Sequence, residues 1–385
     1  MPVLLGVSAF AFDIGGMILA AQRVQDVSDA AALAGAANAA EPGVRDNSLN
    51  GTMAANNASS PWQVTTSRAR FFVPGEEIAG YGTLGHRDYA AEVIGETGYD
   101  FTFARIFGLD QTDIRRRAVA VATLWRNRLA DGFIFAGSTD PSVYGVTVEG
   151  SRNTLNGTVH SNTGVYINGS NNTIDGSIEY RNDLHIDGPE FSMTGQKTVG
   201  PVAQYPVDFV WQDFDAGPWD HEVNSIYVGT ANDSLASGRW RVRGDMTIDG
   251  INCRCSDAIF VADGDIFING SGAVFDRVTL VAGGQIYING AGGRFSPFVR
   301  DLTAYSTMGG AGTKADAIWL NAADCEFSGI LYAPGGSLYF DGSDEHTYEV
   351  GLVAEIIELH GSSSVHDGPL SANSGYEPSE LKLVI

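Results

Sequence analysis

Residues 1–21 (MPVLLGVSAFAFDIGGMILAA) are apolar apart from Ser8 and Asp13. About 20 such residues suffice to cross a bilayer core as a helix, so the run predicts a membrane anchor. A cleaved signal peptide and a buried helix are the rivals; the first is disfavoured because Arg23 is the first basic residue. The missing basic flank also suggests that the natural start lies further upstream. Asp13, in mid-span, is expected to contact a partner or to mark a segment lying shallower in the membrane, because an unpaired carboxylate there is costly. Beyond the run, Val24, Val27, Ala31 and Ala34 recur on one helical stripe, which extends the predicted helix to about Ala40.

From Glu41 to Trp62 the chain is rich in Asn, Ser, Gly and Pro and reads as an exposed loop. Strand-like runs follow at Trp62–Val73, Asp88–Ile94 and Asp113–Leu124, with FTFARIFG (101–108) as a short helix between the last two.

From residue 131 the pattern changes to a repeat, and that repeat decides the fold class. GSRNTLNG (150–157) and GSNNTIDG (169–176) are 19 residues apart, and GVTVEG, GVYING and DLHIDG end at Gly150, Gly169 and Gly188 in the same phase. A second array, GDMTIDG, GDIFING and GQIYING, ends at Gly250, Gly270 and Gly290; AIWLNA (317–322), GSLYFDG (ending at Gly342) and EIIELHG (ending at Gly361) continue it. Each unit is a short alternating strand closed by Asn-Gly or Asp-Gly, residues that tolerate positive φ at a corner. A unit this short buries no core alone, but stacked units do. The expectation is a mainly β chain: a right-handed parallel β-helix of about nine coils, on the order of 43 Å long. Insertions are expected at 189–238 and 296–314.

The formal charge of −23 opposes binding to a polyanion, which removes nucleic acid as a partner. A solvated acidic surface is favoured over calcium binding as the meaning of that charge. Cys253, Cys255 and Cys325 are an odd, sparse set, which excludes a disulfide framework, and the Cys-x-Cys pair lacks the second pair that a zinc site would need.

Parallel β-helices include polysaccharide-cleaving enzymes, so an enzyme is the rival reading. Arg239, Arg241 and Arg243 alternate with Trp240 and Val242, which reads as an outward basic face with the indole inside. WQDFDAGPWDHE (211–222) offers candidate glycan contacts: Trp211, Phe214 and Trp219 to stack on sugar rings, Asp213 and Asp215 to bond hydroxyls. The competing reading is a loop folded over one solenoid face. His346, His360 and His366, with Glu345 and Glu358, read as solvated corners. No catalytic, cofactor or metal motif is found.

One stretch carries a resemblance. AFAFDIGGMILAAQRVQDVSDAAALAGA, with Asp13, Gly15, Gly16, Gln22, Arg23, Asp29 and Ala30–Ala32 in order, resembles the N-terminal signature of Tad/Flp pilus-assembly proteins of the TadG-like (TadE/G) kind. The strand–FARIFG–strand pattern extends the similarity to about residue 124 as a small α/β neck, and the C-terminal part resembles a polymer-forming β-helix surface domain. The resemblance implies a single-pass bacterial cell-envelope protein whose bulk lies outside the cytoplasm and whose partners are the membrane and other pilin-like proteins. Asp13, Gly15, Gly16, Arg23 and Asp29 would be the anchor contacts. The expected organisation is a helix (1–40), the neck (41–125), the β-helix (126–375) and a tail (376–385). The expected role is non-catalytic; a tethered β-helix enzyme or lectin acting on polysaccharide is the alternative.

Overall fold

The structure is a computed structural model that describes residues 2–58, 60–127, 133–309, 315–321, 325–343, 347–362, 365–367 and 375–384. The chain forms two compact units: Met1–Arg126 with Gly375–Ile385, and Asn127–Ser374.

In the first unit α1 (Pro2–Ala37) and α2 (Pro42–Asn57) pack on a sheet. Its strands are β1 (Thr65–Phe72), β4 (Asp88–Asp100), β5 (Gln111–Asn127) and the C-terminal strand Gly375–Val384, in that order; β2 (Glu77–Ile78) and β3 (Gly82–Thr83) form a small hairpin. The residues expected to be a tail are therefore the fourth strand. Pairings of β1 with β4 and of β4 with β5 are antiparallel. Ala20, Val24, Val27, Ala31, Ala32 and Ala36 of α1 are buried against Ala91, Val93, Ala118, Ala120 and Ala122 of the sheet. Small residues on both sides bring helix and sheet close: a Cβ on Gly95 would lie 2.3 Å from Ser28 Oγ.

Two expectations need correction. The Asn- and Ser-rich stretch after Glu41 is a helix, not a loop. Pro42 sits in its first turn, where no intrahelical N–H is required, and Leu49 and Met53, four residues apart, are buried. Two buried apolar residues among so many polar ones make too faint a stripe to read. The first helix also stops at Ala37, and Ala34 is only half-buried, because the buried face drifts to Ala32, Gly35 and Ala36. Among the described residues no helix is long and apolar enough to cross a membrane; residue 1 and the side chains of residues 2–9, the start of the apolar run, lie outside that description.

The second unit is a β-solenoid of about ten turns whose neighbouring coils pair in parallel among the described residues. The repeat spacings reappear as register. Val165 pairs with Val146 and Leu184 with Val165, 19 residues apart; Ile226, Met246, Ile266 and Ile286 pair in series at 20. One coil is enlarged: Ile286 pairs with Ile318. Within it Leu302–Ser306 is a strand of the stack, so only part of the expected 296–314 insertion leaves the coil, and 310–314 lie outside the described residues. Inward columns of Val, Ile, Leu and Phe, such as Ile266 and Ile268 over Ile286 and Ile288, fill one continuous core.

Coil order in space is not chain order. Ile357 and Leu359, in the last array, pair with Val146 and Val148 of the first coil. The stack therefore runs from the coil at 221–228 through that at 347–367, continues into the coil at 134–161, and ends at 184–199. The interruption expected at 189–238 is correspondingly shorter. Ser192–Met193, Lys197–Val199, His221–Val223 and Ile226–Val228 are all coil strands, which leaves 200–220 as the excursion that joins the two ends of the stack.

Candidate functional site

Asp13 is 2% exposed on the apolar helix α1 and needs donors. They come from the connection between β4 and β5. That segment turns into one 3₁₀ turn, Ala104–Phe107, ended by Gly108 in the left-handed region (φ 81°). Helix starts leave N–H groups without intrahelical partners, and here three of them meet the carboxylate: Thr102 N–H donates at 2.8 Å, Phe103 at 2.9 Å and Ala104 at 2.6 Å. Beside it Tyr99 approaches the helix backbone so closely that a Cβ on Gly16 would lie 2.0 Å from the phenol oxygen, whereas Gly15 faces open space. Arg23 donates to the Asn56 carbonyl, tying α1 to α2. Asp29 accepts from Gln25 Nε2 at 2.6 Å, one turn away on the same helix. Asp13 thus finds three donors within its own unit. Sequence reasoning found both the carboxylate and the FARIFG turn but had no signal that joined them across 89 residues.

In the solenoid unit the excursion lies along one face as a strap. Val207, Phe209 and Phe214 are buried. Tyr205 Oη donates to Glu355 at 2.7 Å, and burial together with that bond pushes the phenol's pKa up. Phe209 meets Tyr332 and Phe214 meets Tyr305, with ring centroids 5.7 and 5.8 Å apart. Phe214 is therefore part of a core and is not available to stack on a sugar ring, a correction to that candidate contact. The remaining candidates gather around Arg241, which is 6% exposed. Its guanidinium lies 3.3 Å from Asp215, pairs with Asp263, and sits 5.6 and 5.8 Å from the half-buried rings of Trp211 and Trp219. Asp213 accepts from Val210 N–H at 2.8 Å. Arg239 donates to the carbonyls of Phe214 and Ala216, and Arg243 pairs with Glu222. The arginines do alternate with an inward Val242, as expected, but two of the three fasten the strap.

His360 lies 3.4 Å from Glu149 and 3.7 Å from Glu358. His366 is buried, and burial pushes its pKa down to about 4. His346 and Glu345 lie outside the described residues. Among the described residues no group of three or more His, Cys, Asp and Glu is placed to hold a metal. A feature that sequence reasoning passed over is the outward aromatic column Phe267, Tyr287, Trp319, Tyr339 and His360, in ring contact at 4.3–6.3 Å. Its first three members were visible in principle as the middle residues of the IFI, IYI and IWL triplets.

Residues 1–38 match the family of putative Flp pilus-assembly TadE/G-like proteins. The matched stretch is α1 with one flanking residue at each end, and it contains Asp13, Gly15, Gly16, Arg23 and Asp29. It ends before α2 and the sheet, so the likeness expected up to about residue 124 rests on pattern alone. No curated protein and no solved structure matches the chain.

Proposed function

We propose that this chain is a non-catalytic structural protein of the bacterial cell envelope, tethered to the membrane through α1 and acting in a Tad/Flp-type pilus assembly or adhesion system. The match of residues 1–38 to TadE/G-like pilus-assembly proteins carries the reading. The apolar run 1–21 supports the tether. In this reading the bulk lies outside the cytoplasm, the N-terminal part of α1 meets the membrane and pilin-like partner proteins, and the solenoid presents an extended surface. We take its winding as right-handed, the hand that parallel crossovers adopt almost without exception.

The role also fits the tightness of the solenoid. Its interior is closed by aliphatic columns, and its one long excursion is fastened by buried aromatics and by Arg241. The decisive experiment is deletion of the gene with surface pili counted by electron microscopy and the wild type restored in trans. Loss of pili, recovered on complementation, supports assembly. Unchanged pili, with the protein still in the membrane fraction, would overturn the pilus role and leave an independent surface protein.

A further inference from the structure

The turn that holds Asp13 turns its apolar side chains outward. Ile106 is 81% exposed, Phe107 75% and Leu109 52%. Isolated exposed apolar residues need no explanation, but these are contiguous with more. Phe12, 75% exposed, lies 6.5 Å from Phe103 ring to ring, and Phe10, Ile14, Ile18 and Leu19 are exposed on the same stretch of α1. The three bonds to Asp13 fix the turn at the level of residues 12–16 of the helix. Residues 1–12 carry no charged side chain. Arg105, the charge within the turn, lies 3.9 Å from Asp100 and is exposed.

From this we infer that Phe103–Leu109 is a membrane-dipping knob: it inserts Ile106 and Phe107 into the outer layer of the same bilayer that holds α1, and Asp13 is the pin that sets its depth. The inference rests on the membrane-tether reading. Lipid is the occupant that fits, because the patch is continuous with the apolar helix and because a chain of charge −23 gains little from electrostatic attraction to a membrane and must rely on apolar contact.

The test uses the full chain reconstituted with phosphatidylcholine vesicles. Cys253, Cys255 and Cys325 are buried, so an Ile106→Cys variant can be labelled selectively with an environment-sensitive fluorophore. Val73→Cys, exposed at the end of β1 away from the turn, is the control. Both positions are on the surface, so neither change threatens the fold. Insertion to roughly 5–10 Å places the label at 106 within reach of nitroxides on the lipid chains, which should remove on the order of half of its emission while the label at 73 keeps its own. If the protein floats with the vesicles but neither label is quenched, the knob is overturned and the tether stands. If the protein does not float, the tether reading fails first and the inference with it. A blue shift at 106 without lipid that grows with protein concentration assigns the patch to a second copy of the chain and also overturns the inference.

Discussion

Two glycines of one coil stack should fail for different reasons when replaced. Gly270 lies at a coil corner with ordinary negative φ, and a Cβ there would sit 2.0 Å from the carbonyl oxygen of Gly250 in the coil beneath. An ordinary contact begins near 3.4 Å, so the shortfall is 3.4 − 2.0 = 1.4 Å against backbone, which cannot rotate away. Relief requires the two coils to part where Asn269 and Gly270 donate to the Ile248 carbonyl at 2.8 and 3.1 Å. Overpacking costs about 1–3 kcal/mol and a weakened ladder bond about 1 more, so Gly270→Ala should destabilise the solenoid by about 2–4 kcal/mol. Gly292, two residues past the equivalent corner of the next coil, has φ 69° and open space around its missing Cβ. Gly292→Ala should cost only the left-handed strain of about 1–2 kcal/mol. Gly292→Asn should be nearly neutral, because Asn252 occupies the same register position at φ 57°. Gly270→Asn should not be rescued. Urea unfolding of the full chain, read by far-UV circular dichroism with hydrogen exchange on peptides 245–295, measures all four variants. Equal losses for Gly270→Ala and Gly292→Ala, or rescue by asparagine at 270, would refute the steric argument.

Four further outcomes follow from the sites. Asp13→Asn keeps the shape but turns a donor toward N–H groups, so amide exchange at Thr102–Ala104 should accelerate; unchanged protection there would mean that the carboxylate does not hold the turn. Arg241→Ala removes the centre of the strap's fastening and should cost about 1–3 kcal/mol, discounted for its half-exposed carboxylate partners, with faster proteolytic nicking at 211–219 as the readout. Burial holds His366 at about 4 against 6.5 in the unfolded chain, so the unfolded state takes up the proton first. Stability should fall by at most about 3 kcal/mol as pH drops from 6.5 to 4, and His366→Phe should flatten that slope in denaturant titrations. All three cysteines are buried, and burial pushes Cys255 up to about 12, so maleimide should leave the native thiols unmodified at neutral pH and react once urea unfolds the chain.

The solenoid could be read from sequence because its signal repeats: each coil restates the same inward positions, and 19- and 20-residue offsets became pairings such as Val165 with Val146 and Ile286 with Ile266. Corner glycines were also readable, although the reason assigned to them holds at only some corners: Gly361, at the end of the second array, has positive φ (103°), and Gly188 does not. Gly150 and Gly169 do adopt positive φ, whereas Gly250, Gly270 and Gly290 are needed for the approach of the next coil, and the left-handed residue comes two positions later. Features that depend on a single pairing of distant residues were not readable. Nothing near Asp13 announces Thr102, and nothing near Arg241 announces Asp215 or Trp219. The helix at 42–57 was hidden for a related reason: it exists because α1 offers a surface to Leu49 and Met53, and a window of its own residues contains too little apolar character to show that.

The permuted coil order explains why the excursion at 200–220 is long and aromatic. It must carry the chain from the coil at 184–199, at one end of the stack, to the coil at 221–228 at the other. Nine steps of about 4.8 Å come to roughly 43 Å. An extended chain of that many residues reaches at most about 70 Å, so the crossing leaves slack of more than a third. A slack strap over a rigid face needs attachments, and they occur in sequence along the way: Tyr205 at Glu355, Phe209 at Tyr332, Phe214 at Tyr305 and Asp215 at Arg241. Phe214 and Asp215, two of the five candidate glycan contacts, are fastenings of that crossing. The same order returns the chain to its starting point: the coil that receives it at residue 134 and the coil that releases it at 367 are neighbours in the stack, and β5 and the C-terminal strand, which flank the solenoid in sequence, are neighbours in their own sheet. The solenoid is therefore an insertion between two adjacent strands. Both ends of its stack consist of internal coils, free of the segments by which the chain enters and leaves.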